Sequence, residues 1–593
     1  MSRNTRFTDE EWAEVSSALP TEDEPFLQKY LNGREALIQQ EAQSRSDASF
    51  RKSLSPIARR ACAIVDKIRD HENKTIWTPQ LEDSIASSPP GSSSSSSPGN
   101  DEGSKNLTIY PGMMFSLSKP LMESTLLWKI VRRMPKGCLL HAHIDAMVDF
   151  DFLFDCMLRE PGIHILSDRP LVDKASLDES NVKFRFFKKE SEEDGASVWK
   201  DGYKPYTPVL LTKAADAFPH DGRKGFLKWL YGRVTISRTE AVEQHHGIDH
   251  VWRKFYTCFR IANSIIHYEP IYRQFLRRLM SLLKADGVNY AELRFSWDLD
   301  YYRQGSEVPE GDFSACMDVL DEEVRRFQAS DEGKGFWGFR IIWASIRSQG
   351  RRELVQNMDD CITTKLTHPH LIAGYDLVGQ EDLGRSHRAL LPEIMWFRKQ
   401  CAEEGVDIPF FFHAGECLGT GSETDHNLFD AVLLGTRRIG HGFSLYKHPL
   451  LIDLVKQRRI LVESCPISNE VLRLCGSVMS HPLPALLARG VACALCNDDP
   501  AMLGQDTAGS THDFWQSLQG WENLGLAGLG SLAENSIRWA AFEDQTAEEW
   551  DRGIREASLG TGLKAQRLKE WAVEWERFCL WIVDEYGDWE KEK

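Results

Sequence analysis

The sequence predicts an α/β protein whose main domain is a (β/α)8 TIM-type barrel. Short apolar strand patterns alternate with helical patterns, eight such strands can be counted, and polar residues follow the ends of four of them. Eight β–α units are typical of a closed parallel barrel, whose active site lies at the carboxyl ends of its strands. The predicted strands are the one that ends in His141-Ala-His143, then Val288–Phe295, Phe339–Ser345, Leu371–Leu377, Ile408–His413, Arg438–His441, Ile460–Glu463 and Val491–Asn497.

Two further regions extend the barrel, which we assign to residues 106–545. The capping-box pattern Thr8-x-x-Glu11 and apolar residues at helical spacing predict an N-terminal helical extension over residues 1–83. An insertion at about 150–245 is predicted because the second strand begins only at Val288, far beyond an ordinary crossover.

The remaining two segments differ in composition. Residues 84–105 contain Pro89-Pro90-Gly91 followed by six serines, too few apolar side chains to bury a core, so we expect a disordered surface linker. The Trp-rich tail at 546–593 is predicted to be helical and to pack on the barrel. The N-terminal helices offer a surface for a homodimer.

Composition and charge exclude some classes of partner. A formal net charge of -17 and a pI of about 5.6 are the opposite of the basic footprint of a nucleic-acid-binding protein. No apolar segment follows the N-terminal charges and no apolar run reaches roughly 18 residues, so neither a signal peptide nor a membrane span is predicted. Thirteen cysteines without framework spacing suit a reducing compartment, and we expect a cytoplasmic protein.

Metal-ligand residue types fall at the predicted strand ends. Side chains at i and i+2 of a strand share a face, so His141 and His143 would point together. His413 ends the fifth strand, and Asp498 follows the eighth. Three imidazoles and one carboxylate suit Zn²⁺ at roughly 2.0–2.2 Å, with a position left for water. Because zinc lowers the pKa of bound water to about 7, the sequence predicts a hydrolytic centre with one Zn²⁺ per chain.

Five motifs occur in the order of the predicted strands. They are Met134-Pro-Lys-x4-His-x-His-x-Asp145, Asp376-Leu-Val-Gly379-Gln-Glu381, His413-Ala-Gly-Glu416, Gly440-His-Gly442 and Asp498-Asp499-Pro500. Together they resemble the adenosine deaminase family of metal-dependent hydrolases, over about Arg132 to Glu543. The resemblance implies zinc as cofactor and a purine nucleoside as substrate.

Two more segments narrow the resemblance. Trp252-x2-Phe255-x3-Phe259 and Glu463-Ser-Cys-Pro-Ile-Ser-Asn469 are similar to the adenosine deaminase-related growth factor branch. Members of that branch are typically exported and carry a disulfide in the insertion, whereas this chain shows no leader and has only Cys156 between Phe150 and Thr239. Secretion is therefore the alternative to a cytoplasmic location.

The resemblance implies a catalytic role for three residues in the conversion of adenosine or 2'-deoxyadenosine to inosine or 2'-deoxyinosine and ammonia. Glu416 protonates N1 of the adenine. His441 orients and polarises the zinc-activated water that attacks C6. Asp498 holds the metal and takes the proton of that water. A water-poor barrel mouth would raise the pKa of Glu416 and keep its carboxyl protonated.

Four residues are implied to bind the substrate. Asp145 binds a ribose hydroxyl, and Trp252 lines the sugar pocket. Gly379 offers its backbone N–H to N3, because a residue without a Cβ lets the base approach closely. Asp499 forms a hydrogen bond with N7.

Two other functions stay open at this point. A deaminase of adenine, AMP or a modified adenosine would use the same metal centre, and AMP would need a cluster of Arg, Lys or backbone donors at the mouth, which the sequence does not locate. A non-catalytic signalling or binding protein would be favoured by loss of a metal ligand or of Glu416, and both are retained.

Overall fold

The computed structural model describes residues 7–77, 115–188, 197–242, 247–296, 300–521 and 523–590. The predicted linker at 84–105 lies outside these ranges. Within them, none of the helices is both long and apolar enough to cross a bilayer.

The N-terminal region is helical. Its first helix begins with the predicted capping box, because Oγ1 of Thr8 accepts the Glu11 N–H and Oε2 of Glu11 accepts the Thr8 N–H. The helices before the barrel are α1 (Asp9–Ala18), α2 (Pro25–Ser44), α3 (Ala48–Ser53), α4 (Pro56–Thr75), α5 (Phe115–Met122) and α6 (Leu126–Arg133).

The first barrel strand is followed by the inserted region. Three short strands that the sequence analysis did not predict form an antiparallel sheet, in which Ile163–Ser167 lies between Val182–Phe186 and Val209–Leu210. The elements are β1 (Gly137–His143), α7 (Phe150–Arg159), β2 (Ile163–Ser167), α8 (Lys174–Glu179), β3 (Val182–Phe186), β4 (Val209–Leu210), α9 (Leu211–Asp216), α10 (Gly222–Val234), α11 (Arg238–Val242) and α12 (Ile248–Ile266).

Alternating helices and strands complete the chain. The elements are α13 (Glu269–Ala285), β5 (Val288–Ser296), α14 (Ser314–Gln328), β6 (Gly338–Ile346), α15 (Arg351–Thr367), β7 (Ile372–Val378), α16 (Leu391–Glu403), β8 (His413–Ala414), α17 (Asn427–Leu433), β9 (Arg438–His441), α18 (Pro449–Gln457), β10 (Leu461–Ser464), α19 (Pro466–Val471), α20 (Leu483–Ala488), β11 (Cys493–Leu495), α21 (Gly509–Gly520), α22 (Gly525–Arg538), α23 (Ala547–Glu556) and α24 (Leu563–Tyr586).

Eight parallel strands close into the predicted barrel. Strands β1, β5, β6 and β7 pair in that order, and so do β8, β9, β10 and β11. Single parallel bridges join the two halves, from Tyr375 to Phe410 on one side and from Ala142 to Asp498 on the other. The (β/α)8 fold class is therefore confirmed, and the second bridge sets β1 directly beside the segment that carries Asp498.

The fifth strand is much shorter than the predicted Ile408–His413. Regular pairing is confined to His413 and Ala414, while the backbone just before them pairs with β7 through an isolated bridge at Phe410. Pro409 accepts a hydrogen bond from the Tyr375 N–H at 2.9 Å, but it has no N–H with which to continue the ladder.

The two chain ends pack together outside the barrel. Helix α4 buries Ala61, Ile64 and Ile68 and lies along α24. The α24 residues Trp571 and Trp575 are buried there, with the Phe50 ring 5.7 Å from the ring of Trp575. The C-terminal helix α24 is therefore held against α4 by buried apolar side chains.

Candidate active site

Four metal-ligand side chains meet at the carboxyl end of the barrel. The ligand atoms of His141, His143, His413 and Asp498 all lie within 4.8 Å of one another. Oδ1 of Asp498 is 3.2 Å from Nε2 of His141 and 3.4 Å from Nε2 of His143. The group is almost closed to solvent, since the most exposed of the four side chains, His143, is 12% accessible. This arrangement can hold one metal ion.

Unsatisfied polar atoms within the described residues support that interpretation. Nε2 of His141 and Oδ1 of Asp498 are buried, and neither makes a well-aligned hydrogen bond. Leaving a buried polar atom unpaired costs about 1–3 kcal/mol, so such atoms in a native fold call for a partner. A cation bound between the two atoms would satisfy both.

Carboxylates behind the cluster orient two of the imidazoles. Nδ1 of His413 is 2.7 Å from Oδ2 of Asp376, and Nδ1 of His141 is 2.8 Å from Oε2 of Glu463. These contacts place the protons on Nδ1 and leave each Nε2 free of hydrogen and aimed at the cluster. Carboxylates that hold ligating histidines in this way fix the ring orientation and raise ligand basicity.

A fully buried arginine joins these two carboxylates. Arg294 donates from Nε to Asp376 at 2.8 Å and from Nη2 to Glu463 at 2.7 Å. It also donates to the Leu140 carbonyl oxygen at 2.9 Å. Although burial opposes ionisation, Arg294 and Arg438 hold the pKa of Glu463 well below its usual range. The guanidinium group of Arg294 therefore holds both orienting carboxylates in place within the barrel.

The backbone is unusual where the ligands converge. His441 and Asp498 have φ angles of 61° and 57°, the left-handed region that non-glycine residues rarely adopt. A Cβ at Gly440 would lie 2.8 Å from Cε1 of His141, so only glycine fits beside that ring. Such backbone strain at a cluster of polar residues is typical of functional sites.

Glu416 lies beside the cluster as a buried carboxyl group. Its Oε1 is 3.7 Å from Nε2 of His441. Burial, together with the charges of Asp498 and Glu381, raises the pKa of Glu416 well above its usual value. Glu381 fixes this segment, because it accepts the Glu416 backbone N–H at 2.7 Å and an amide hydrogen of Asn427 at 2.8 Å.

The adjacent carboxyls Asp498 and Asp499 are driven apart in pKa. Burial opposes ionisation of Asp498, but His441, His141 and His143 hold its pKa well below the usual range. Burial and the neighbouring Asp498 raise the pKa of Asp499 well above its usual value. Pairs of carboxyls separated in this way divide acid and base tasks.

A cavity of about 1870 Å³ opens from the cluster toward the inserted region. All four predicted substrate-binding residues line it: Asp145, Trp252, Gly379 and Asp499. Gly379 has a φ of 96°, and a Cβ there would lie 3.1 Å from the hydroxyl of Tyr256. Every predicted site residue except His141 thus lines one cavity, and the His141 ring lies 4.5 Å from the ring of His413, which does. Trp252 belongs to α12, the helix that follows the inserted region.

The outer wall of the cavity carries charges of both signs. Basic residues come from α10 and α12, and acidic residues lie among them, as in the 3.5 Å contact between Lys254 and Glu240. The basic residues are Lys224, Lys228, Arg233, Arg253, Lys254 and Arg260, and the acidic ones are Asp178, Glu179, Asp221 and Glu240. This interleaved pattern differs from the cationic cluster that a phosphate group would need.

Sequence reasoning assigned no role to several residues that build the site. Asp376 and Glu463 stood inside quoted motifs, and Arg294 inside a predicted strand. The sequence did contain a signal for these residues. A charged residue within an otherwise apolar barrel strand must find a buried partner, which predicts an ion pair inside the barrel. Ser468 was also overlooked, and its hydroxyl donates to Oδ2 of Asp498 at 2.6 Å.

Comparison with known proteins identifies the family of this chain. The profile of the family described as adenosine deaminase matches residues 233–556. Adenosine deaminase 2 of Sus scrofa is 31% identical over 463 residues, which cover 76% of this chain and 85% of that protein. Adenosine deaminase 2 of Homo sapiens is 29% identical and covers 77% of this chain and 86% of its own length.

A solved structure extends the comparison. The adenine deaminase of Arthrobacter aurescens superposes with a TM-score of 0.46 at 17% sequence identity, over 74% of this chain and 99% of its own. The family profile and the relatives at up to 31% identity confirm the resemblance drawn from the motifs. The chain belongs to the adenosine deaminase family, in its adenosine deaminase 2-like branch.

Proposed function

We propose that this protein is a zinc-dependent aminohydrolase that converts adenosine or 2'-deoxyadenosine and water to inosine or 2'-deoxyinosine and ammonia. One observation carries the proposal. Four ligand atoms within 4.8 Å of one another stand beside the buried Glu416 carboxyl, whose pKa is raised well above its usual value. A metal-ligand cluster next to a protonated acid is what hydrolytic deamination of a purine requires.

The ligand set supports zinc as the metal. The site offers four protein ligands, which are nitrogen atoms of His141, His143 and His413 and a carboxylate oxygen of Asp498. A zinc ion held by them would keep a coordination position for water, as in catalytic zinc sites. A bound zinc ion would supply a water that ionises near neutral pH.

The surrounding side chains handle the protons. Nε2 of His441 is 3.7 Å from Glu416 and 3.9 Å from Asp498, which leaves room for a water oxygen among the three groups. Asp498 is ionised and accepts the proton of this water. Glu416 is protonated and donates to N1 of the adenine, which makes C6 electrophilic. The exocyclic amine then takes the proton held by Asp498 and leaves as ammonia, while the new C6 hydroxyl returns a proton to Glu416 and becomes the carbonyl of the product.

Other groups orient the substrate. Asp499, kept protonated by burial beside Asp498, donates to N7 of the base. Gly379 donates its N–H to N3, at a position where a Cβ would crowd Tyr256. Asp145 accepts a hydrogen bond from a ribose hydroxyl, and the Trp252 ring borders the sugar.

An ultraviolet assay tests this function directly. Zinc-replete protein is offered adenosine, 2'-deoxyadenosine, AMP and adenine, with and without a chelator. We expect turnover of the two nucleosides, its loss on chelation and its return with zinc. Turnover of AMP or adenine alone would reassign the substrate, and failure with all four would contradict the enzyme assignment.

We further propose a homodimer formed through α1 and α2. These helices bury none of their own residues, and Phe26, Tyr30 and Leu37 are 59%, 67% and 68% exposed. Exposed apolar clusters of this kind typically mark protein interfaces. In analytical ultracentrifugation, the double variant Tyr30→Lys, Leu37→Lys should be monomeric and Leu433→Lys, at an exposed leucine elsewhere, should stay dimeric. A monomeric wild type would contradict the proposal.

The cysteines favour a reducing compartment as the location. All thirteen lie among the described residues and are free, and twelve of them are buried. Extracellular proteins of this size usually oxidise some of their thiols. Thiol titration of denatured protein prepared without reductant should give thirteen free thiols, and a lower number would argue for export.

A further inference from the structure

A chain of hydrogen bonds runs from the cavity through α19 to the start of α20. Nδ1 of His441 is 3.1 Å from Nδ2 of Asn469, and Oδ1 of Asn469 is 2.9 Å from Nε2 of His481. The backbone N–H of Leu483 lies 3.1 Å from Nδ1 of His481. All three side chains are buried, so no bulk water competes for these contacts.

The backbone donor at one end sets the direction of every bond in the chain. Because the Leu483 N–H can only donate, Nδ1 of His481 accepts and its Nε2 carries the proton. Burial lowers the pKa of His481 to about 3, which keeps this ring neutral near pH 7. Nε2–H of His481 then donates to Oδ1 of Asn469, which leaves the Asn469 NH2 group to donate to Nδ1 of His441.

We propose that Asn469 and His481 are positioning residues that fix the tautomer of His441, with its proton on Nε2. The Asn469 amide occupies Nδ1 of His441 as a donor, so the ring must carry its hydrogen on the other nitrogen. Neither Asn469 nor His481 borders the cavity, and both act through His441.

The fixed tautomer decides what His441 can do. Its Nε2–H points toward the space between Glu416 and Asp498, at 3.7 and 3.9 Å. A ring in this state donates a hydrogen bond to the reacting water and cannot take a proton from it. The effect of the tautomer on turnover rests on the proposed aminohydrolase function. The tautomer itself can be measured even in protein that shows no turnover.

Nuclear magnetic resonance of protein labelled with ¹⁵N-histidine tests the tautomer. The His441 signals are assigned by their loss in His441→Gln, and two-bond ¹H–¹⁵N correlations distinguish the protonated nitrogen from the bare one. We expect a protonated Nε2 and a bare Nδ1 in the zinc-replete wild type. A protonated Nδ1 would overturn the inference whether or not the protein deaminates adenosine.

A substitution then links the tautomer to turnover. An ionised Asn469→Asp side chain accepts hydrogen bonds from both rings and should move the His441 proton to Nδ1. With zinc content and KM retained, kcat should fall by roughly 10⁴-fold, the effect of a wrong histidine tautomer in serine proteases. Full turnover with the proton on Nδ1 would overturn the proposed role.

Two controls separate positioning from general damage. Asn357→Asp places the same change at a buried asparagine that binds Trp343 and Ser345, away from the cavity, and should leave kcat unchanged. His481→Phe removes the donor to Asn469, whereas His481→Gln restores an N–H there. We expect the glutamine variant to recover most of the kcat that the phenylalanine variant loses, and equal losses in the two would contradict the relay.

Discussion

The floor and the wall of the cavity are built in different ways. The floor, formed by His141, His143, His413, Glu416 and Asp498, lies at strand ends and is buried or nearly so. The wall, formed by α10 of the inserted region and by α12, which follows it, carries long charged side chains such as Lys224, which is 89% exposed.

The difference separates chemistry from substrate choice. Histidines of the floor are held from behind by carboxylates on barrel strands. Nδ1 of His141 contacts Glu463, and Nδ1 of His413 contacts Asp376. Such preorganised groups can act on developing charge without rearranging. Exposed charged side chains of the wall, such as Lys224, make no such contact with a barrel strand among the described residues and can vary without disturbing the metal cluster. We therefore expect floor substitutions to abolish chemistry and wall substitutions to change binding.

The largest effect is expected for two changes within the floor. His413→Ala removes a ligand and should abolish metal retention and turnover together. Glu416→Gln keeps all four ligands and should retain metal while kcat falls by roughly 10²–10⁴-fold, because a proton donor is lost. Metal content by mass spectrometry and kcat by ultraviolet assay check both, and equal metal loss in the two variants would contradict the division of roles.

A smaller effect is expected one layer behind the floor. Asp376→Asn weakens the hold on His413 and should reduce metal affinity by roughly 10–100-fold. The measurement is a zinc titration against a competing chelator. Glu323→Gln, which removes an equally buried carboxylate from arginine partners on the outside of the barrel, is the matched control and should leave metal affinity unchanged.

The wall should respond differently. Trp252→Ala removes an aromatic face from the cavity and should raise KM for adenosine about tenfold, with kcat and metal content retained. Steady-state kinetics and metal analysis of the same sample check this. Loss of metal in the variant would show that wall and floor are not separable.

The last effect leaves turnover and binding aside and concerns the stability contributed by the buried imidazole of His387 behind the floor. Burial and Arg347 lower the pKa of His387 to about 3, against about 6.5 in the unfolded chain. Between these values only the unfolded chain binds the proton, so this contribution to stability is complete above pH 6.5 and is lost as the pH falls. His387→Asn should therefore reduce the stability lost between pH 7 and pH 5 by about 2 kcal/mol.

Urea unfolding of the metal-free protein at pH 7 and pH 5 measures how the free energy of unfolding depends on pH. His426→Asn, at an exposed histidine, is the control and should keep the wild-type pH dependence. An unchanged pH dependence in His387→Asn would mean that the buried ring is already protonated at pH 5.

The barrel and its ligands could be predicted from sequence because the signals are local. Each strand is a short apolar run, and each ligand follows the run that positions it, as with His413 after Phe410-Phe411-Phe412. The short fifth strand was missed because pairing depends on Pro409 and its neighbours across the sheet. The small inserted sheet was missed because its strands pair only with one another.

The support of the site could not be predicted in this way. His141 and its orienting partner Glu463 are 322 residues apart, and Arg294 touches four separate segments of the chain. Such pairings exist only after the barrel has closed, and neither periodicity nor spacing along the sequence records them. The same holds for the amide of Asn469, whose role depends on two histidines from other elements.

Anomalous scattering from crystals of the zinc-replete protein would locate the metal directly and so test whether the four ligands bind one zinc ion. We expect one peak per chain at the zinc edge, with Nε2 of His141, His143 and His413 and Oδ1 of Asp498 at roughly 2.0–2.2 Å. A peak elsewhere, or none in protein that deaminates adenosine, would contradict it.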